Sequence, residues 1–452
     1  MERDMSALSH VFVPFGTEKG EIIVLDQGSV IGPEAAAMLG ALYSRSPDTV
    51  RNHLGVIAKR GADKFMGTYY VKYGHKSIGD MGTAYVFIEN VSLLAAKAVQ
   101  DFPLYNGQEC STRYIDYSMR EFLDSLKSQL SKIMLEKLRS FYLSILSKMV
   151  PILKERHPMK ENQKPDDYEK AIKARAFDIG RAFLPAGAST SLVWSGELRQ
   201  FADRIPILRT HPLQEVREIG EAIEKGLLAA YPNSFLSKRY EATEEYLERC
   251  NARYAYFDPP DFPEFEANDS RMDWSELGEF QEALATRPLK TELPYAIRDA
   301  GQLRFDYLLD FGSYRDEQRH RALAIRMPLL TTRYGFEEWY LEELTNELRE
   351  EAEEFLHAYV QDLDSLELSP EKLQYLIPIG YKVPVRKTGD LRALVYFVEL
   401  RTTSTVHATL RKRARQVGET LLEYCPALAL HLESDPDSFD VKRGTQDIVK
   451  RE

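Results

Sequence analysis

Cysteine is scarce in this sequence: three residues, Cys110, Cys250 and Cys425, far apart and without a CxxC spacing. That argues against a disulfide framework or a thiolate zinc site and fits a reducing cytoplasm, the expected location. No metal-ligand set is expected. There is also no apolar run near the ~20 residues a membrane helix needs. Residues Met1 to Asp4 carry charges of both signs with no long apolar stretch behind them, so neither a signal peptide nor a membrane span is expected. Positive charge is in deficit, 59 Lys and Arg against 70 Asp and Glu for a net charge of -11. A surface this acidic repels a polyphosphate backbone, so no nucleic-acid partner is expected. A few arginines around one small phosphorylated ligand remain compatible with it.

What is present is ordinary for a globular chain: 44% hydrophobic residues, 29% charged, 452 in all, too many for a single core. The clearest break is the stretch 257–270, rich in proline and acid and without helical or alternating period, which reads as an extended linker. Residues 434–452 read as a loose polar tail. Helical periodicity marks Arg120 to Leu153 and Glu337 to Tyr359, the second with a strongly acidic side that reads as a solvated helix surface. Strand-like runs at Gly82–Glu89 and Leu303–Asp310 each lead into a helical segment, near Ser92 and Ser313. Ser313 with Asp316 has the spacing of a capping box. Arg411-Lys-Arg413 reads as a solvated helix face.

The chain also repeats itself. Cys110-Ser-Thr-Arg-Tyr114 echoes Leu330-Thr-Thr-Arg-Tyr334, and Phe183-Leu-Pro-Ala-Gly187 echoes Leu376-Ile-Pro-Ile-Gly380. Gly196-Glu-Leu-Arg199 echoes Gly389-Asp-Leu-Arg392, Leu208-Arg-Thr-His211 echoes Leu400-Arg-Thr-Thr403, and Tyr231-Pro232 echoes Cys425-Pro426. All five echoes keep their order, which indicates a tandem duplication: a first copy within 1–256, the linker 257–270, a second copy at 271–433 and the tail. The echoed charges are arginines, Arg113, Arg199 and Arg209 against Arg333, Arg392 and Arg401. Arginine offers a rigid fork of donors suited to a phosphate or a uracil carbonyl edge.

These motifs resemble the flavin-dependent thymidylate synthases, in which an Arg-His-Arg triplet is followed, some residues on, by a Ser and then Arg-Tyr. The first copy is similar through Gly74-His-Lys-Ser77 and Gln108-Glu-Cys-Ser-Thr-Arg-Tyr114, but its triplet reads Asp101-Phe-Pro103. The second keeps Arg319-His-Arg321 and loses the serine to Leu329 or Thr331. Met81 stands where the family has a second histidine. A charge-assisted hydrogen bond contributes about 1.5–3 kcal/mol, so losing two arginines weakens an anion site by at least ~100-fold.

The resemblance implies an α+β fold of two tandem thymidylate synthase-like copies, each a small sheet flanked by long helices. It implies a composite site, because opposite halves of the motif survive in the two copies. Nucleotide contacts are expected from Gln108, Glu109, Ser111, Arg113, Arg209, Arg333 and Arg401. Cofactor contacts are expected from His75, Arg199, His211, Arg319, His320, Arg321, Arg392 and His407. The implied reaction is methylation of C5 of deoxyuridine monophosphate with FAD and methylenetetrahydrofolate. The alternative is a degenerate relative that binds nucleotide or flavin in a regulatory or structural role. The implied partners are a small-molecule nucleotide and a folate, and the implied assembly is a homodimer forming a pseudo-tetramer.

Overall fold

The computed structural model describes residues 10–16, 20–25, 32–43, 66, 76–113, 116–124, 126–235, 239–254, 256, 259 and 261–433. The tail 434–452 lies outside the described residues. The chain forms two compact units, one of residues 1–110 with 189–256, the other of 111–188 with 257–452.

The first unit holds an antiparallel sheet of β1 (His10–Pro14), β2 (Glu21–Leu25), β3 (Thr83–Ser92), β4 (Asn106–Glu109) and β5 (Ser189–Glu197), in the order β1-β2-β3-β5-β4. Alternation in β3 buries Ala84, Val86 and Ile88 on one face, as a half-covered sheet requires. The second unit holds β6 (Phe265–Met272), β7 (Gly301–Asp310), β8 (Ala324–Arg326) and β9 (Lys382–Gly389), in the order β6-β7-β9-β8. That order reproduces β2-β3-β5-β4 strand for strand, so the duplication read from the echoes is also one of topology.

Helices follow matching strands in each unit. After β3 comes Leu93–Gln100, capped by Ser92 Oγ, which accepts from the Ala95 amide at 3.0 Å. After β7 comes Phe311–Glu317, and here the cap is Asp310, whose Oδ2 accepts from the Ser313 amide at 2.9 Å. Ser313 is therefore the third helical residue and not the cap, because the carboxylate three positions earlier already serves its N–H.

Other boundaries differ from the periodicity. The pattern from Arg120 becomes a helix only at Gln129–Arg156, behind a Ser128–Ser131 capping box, and Leu130 and Ile133 stay exposed while Met134, Leu138 and Phe141 are buried. The pattern from Glu337 splits into Glu338–Glu342 and Asn346–Asp364, since Thr345 caps the second helix. Within 257–270, the residues from Phe265 onward belong to β6, whose backbone pairs with β7 and needs no apolar alternation to do so. Arg411 and Arg413 are buried, correcting their reading as a solvated face. Arg413 Nε donates to the Leu308 carbonyl at 2.8 Å, tying Ala408–Tyr424 to β7, and only Lys412 between them faces solvent.

The largest difference concerns residues 111–188, which belong to the first copy by sequence and to the second unit in space. The helix Gln129–Arg156 packs beside Asn346–Asp364, with Phe141 stacked on Phe355 at 4.0 Å, and Arg175 of Pro165–Gly180 pairs with Glu343 at 2.8 Å. The echoed Pro-Gly turns then bond to each other. Ala186 N donates to Ile377 O and Ile379 N to Leu184 O, both at 2.8 Å. Gly187 N donates to Tyr375 O and Gly380 N to Ala182 O, both at 2.9 Å. Each bond has its counterpart with the copies exchanged, so a local two-fold relation runs through the Pro185–Pro378 bridge.

A Cβ on Gly187 would lie 2.7 Å from the carbonyl oxygens of Leu123 and Tyr375. Both are backbone atoms, so Gly187→Ala is expected to destabilise the second unit by about 1–3 kcal/mol, seen as a lower urea midpoint.

Candidate active site

The short helix Phe311–Glu317 ends with Gln318, whose amide donates to the Tyr314 carbonyl at 3.0 Å. Arg319-His320-Arg321 therefore leaves the helix in a turn, whereas its sequence context suggested a place early in a helix. Arg315, on the helix, and Arg319, just beyond it, line one small polar cleft with Ser111, Thr112, Arg181, Gly312 and Asp316. Three guanidinium groups thus face a single carboxylate. Burial pushes the Asp316 carboxyl up, but Arg319, Arg401, Arg113 and Arg181 outweigh it and hold the group at about 2. Asp316 stays ionised beside them.

A buried polar network supports this cleft. Arg113 grips Asp178 with both arms of its fork, at 2.7 and 3.1 Å, and donates to the Thr405 carbonyl at 3.1 Å. Arg181 Nη2 donates to Ser313 Oγ at 2.8 Å and lies 3.6 Å from Asp310. Asp310 Oδ2 accepts from Tyr340 OH at 2.8 Å, and Oδ1 accepts from Thr409 Oγ1 at 2.5 Å. His407 closes the network: Nε2 faces the Asp178 carbonyl at 3.3 Å, and Nδ1 lies 3.4 Å from the Thr409 amide and 2.9 Å from its hydroxyl. A carbonyl only accepts and an amide only donates, so these contacts assign the proton to Nε2.

Burial first, then Arg181 and Arg113, hold the His407 imidazole well below its ordinary range. The unfolded chain then binds more protons than the folded one, so this contribution to stability is complete above about pH 6.5 and is lost as pH falls. His407→Gln is expected to flatten the decline of the urea midpoint between pH 7 and pH 5.

The remaining expected site residues fall in several places. Arg401 Nε donates to His320 Nε2 at 2.7 Å and Nη2 to the Asp316 carbonyl at 2.6 Å, so it braces the turn from behind. The His320 ring packs edge-on against Phe397 at 4.9 Å and lies 6.0 Å from Tyr396. Tyr396 and Arg392 line a second space, a cavity of about 790 Å³ walled by Leu293, Val395 and Leu400. Arg392 Nε donates there to the Leu293 carbonyl at 3.1 Å, and Nη2 pairs with Glu292. Arg321 is exposed, and neither it nor Arg333 lines the cleft or the cavity. Arg333 Nη2 donates to the Pro259 carbonyl at 2.6 Å.

Gln108 and Glu109 lie on β4 in the first unit, where Gln108 registers with Val193 and Glu109 accepts from Gln100 Nε2 at 2.6 Å. Arg199 makes surface pairs with Asp80 at 3.1 Å and Asp203 at 3.6 Å. Arg209, buried between Glu224 and Glu244, has its charge compensated internally, which argues against a role toward an anionic ligand. His211 Nδ1 accepts from the Leu213 amide at 3.1 Å; burial, then Lys97 and Arg204, push the ring down to about 3. His75 lies outside the described residues.

Periodicity and echoes missed Asp178, Arg181, Asp310 and Tyr340. Asp178 and Arg181 carried a signal nonetheless: two charged residues in an otherwise apolar run, immediately before an echoed turn.

A family model described as thymidylate synthase complementing protein matches residues 32–233 and 303–427, one segment in each copy. A UPF0159 protein from Chlamydia pneumoniae is 26% identical over 441 residues, 84% of this chain and 82% of that one. A UPF0159 protein from Thermoplasma acidophilum is 25% identical over 446 residues, 82% of this chain and 88% of that one. Among solved structures, a UMP/dUMP methylase from Streptomyces cacaoi bound with 5-Br dUMP aligns with 50% of this chain and 92% of its own. Its identity is 12% and its TM-score 0.29, too low to bear on the arrangement here.

Proposed function

Because the chain belongs to the thymidylate synthase complementing protein family, we propose that it methylates C5 of deoxyuridine monophosphate with a one-carbon unit from methylenetetrahydrofolate. The observation that carries this reading is the polar cleft, where Ser111 and Arg181 of the first copy meet Arg315 and Arg319 of the second. The cleft holds only about 10 Å³ and would have to open for a nucleotide phosphate, which the Arg315 and Arg319 forks suit beside the Ser111 and Thr112 hydroxyls. Adding carbon to C5 places negative charge on the uracil carbonyls, and fixed donors in a site that excludes water stabilise that charge. Arg401 and His320, bonded to each other, keep the turn that presents Arg319 in one conformation.

A bound FAD, once reduced by an external reductant, would supply the hydride that completes the methyl group. The 790 Å³ cavity fits such a group: it lies within the range of about 300–1,000 Å³ common for ligand sites. Its Leu293, Val395 and Leu400 walls and the Tyr396 ring suit a flat heterocycle, and Lys290 suits a phosphate, while Glu292, Glu399 and Glu433 in the same lining oppose one. The expected assembly remains a homodimer that recreates four family units.

One observation favours binding without methylation as a second reading: Arg113, expected on the nucleotide, is held by Asp178. Tritium release from C5-labelled deoxyuridine monophosphate separates the two. Release that requires FAD, folate and a reductant supports the synthase. Nucleotide binding without release supports the binding protein, and colourless protein that cannot be reconstituted with FAD removes the synthase reading.

A further inference from the structure

Beneath the Arg319-His320-Arg321 turn lies an ion pair that touches neither space. Lys387 Nζ sits 3.0 Å from Glu317 Oε1, and both side chains are 0% exposed. Tyr307 OH donates to the same oxygen at 2.6 Å, and the Lys387 ammonium stands 3.0 Å from the centre of the Phe397 ring. Neither charged residue lines the cleft or the cavity.

Removing two charges from water is expensive, and a well-packed apolar pair often holds a fold as well or better. The first copy does so. Glu317 stands seven residues after its helix cap and Lys387 two before the echoed glycine; the matching residues of the first copy are Val99 and Trp194, both fully buried. The unit's architecture therefore does not require the charges. What the second copy has and the first lacks is the arginine-histidine-arginine turn, which begins two residues after Glu317.

The Lys387 charge acts on His320. Arg401 Nε–H donates to His320 Nε2, so that nitrogen carries a lone pair and the ring is neutral with its proton on Nδ1. Charged groups reach the ring from each element beside it: Asp316 from its own segment, Lys387 from β9 and Arg401 from the helix Leu391–Arg401, which also carries Tyr396 6.0 Å away; Glu317, Arg319 and Arg321 are its neighbours in sequence. Burial, then Arg401 and Lys387, oppose its protonation, against Asp316. Loss of the lone pair would set imidazolium against guanidinium and release Arg401 from the back of the turn.

We infer that the Glu317–Lys387 pair is a positioning element: it fixes the helix end beneath the turn and keeps His320 an acceptor for Arg401, so that Asp316 and Arg319 face the cleft in one arrangement. The assignment rests on the cleft being the anion site proposed above. The identical position in the first copy, where the turn is lost, has no charge to hold.

The experiment is NMR of the full-length protein labelled at histidine and arginine, with His320→Gln and Arg401→Lys to assign the signals. In the native protein His320 should not titrate between pH 8 and pH 5, and the Arg401 Nε–H should be protected from exchange. In Lys387→Met the His320 midpoint should rise by at least ~1 pH unit into that window, with the Arg401 Nε–H lost as it does. The double variant Glu317→Val, Lys387→Trp carries the first copy's own apolar residues and guards against a Lys387→Met protein that fails to fold; with the carboxylate removed as well, the His320 midpoint should rise in the same direction but by less, with the Arg401 Nε–H exchanging faster. Native His320 titrating near pH 6.5 overturns the inference whatever the variants do. So does a folded double variant in which His320 stays silent and the Arg401 signal stays protected. Failure of the native protein to bind deoxyuridine monophosphate would instead defeat the anion-site reading and leave these spectra intact.

Discussion

Replacing Asp310 with alanine is expected to cost the second unit about 3–5 kcal/mol, the loss typical of breaking a buried ion pair from one side. The residue is 0% exposed and has four partners. It caps the helix Phe311–Glu317 through the Ser313 amide, accepts from Tyr340 and Thr409, and faces Arg181, which is 1% exposed. Alanine would remove the cap, itself a loss of about 0.5–2 kcal/mol, and strand the Arg181 guanidinium away from water. Asp310→Asn should recover part of the cap and little of the charge. Urea unfolding followed through Trp339, whose ring lies 4.8 Å from His407 at the edge of the network, reports the loss. A decrease below about 1 kcal/mol would mean that Tyr340, Thr409 and Ser313 satisfy one another without the carboxylate.

Arg319→Ala is expected to act in the opposite sense, on ligand and not on fold. The side chain is exposed, and its ion pair with Asp316 is a loose 3.9 Å, so stability should stay within about 0.5 kcal/mol of native. Affinity for deoxyuridine monophosphate should fall by about 10- to 150-fold, the equivalent of one charge-assisted hydrogen bond. Ser111→Ala should weaken the same binding, and the two losses should not add if one phosphate spans both groups. Losses that fall on two separately measurable binding events would place the two residues at independent sites.

Much of this arrangement was legible in the residues. The strand-like runs that became β3 and β7, the helices that follow them and the ordered echoes are matched by the shared strand order of the two sheets. Local signals failed where two explanations fit one pattern. Leu130 and Ile133 continue an apolar period, yet the helix begins beside them on Ser128 with the opposite face buried. Ser313 has the spacing of a cap, but Asp310 competes for the same amide and wins.

Long-range pairing was less accessible still. Nothing local in the helices Gln129–Arg156 and Pro165–Gly180 tells that they join residues 257–452, because an amphipathic face does not name its partner. Arg113 and Arg181 illustrate the consequence. One carries the motif and is held by Asp178, while the other lies outside the motif and lines the cleft.

The most direct test of the composite cleft is calorimetric titration of deoxyuridine monophosphate into the native protein, Ser111→Ala, Arg319→Ala and the double variant. The arrangement predicts one class of site, weakened by either substitution, with the double variant little worse than the poorer single one. Unchanged affinity in Arg319→Ala, beside a clear loss in Ser111→Ala, would contradict it.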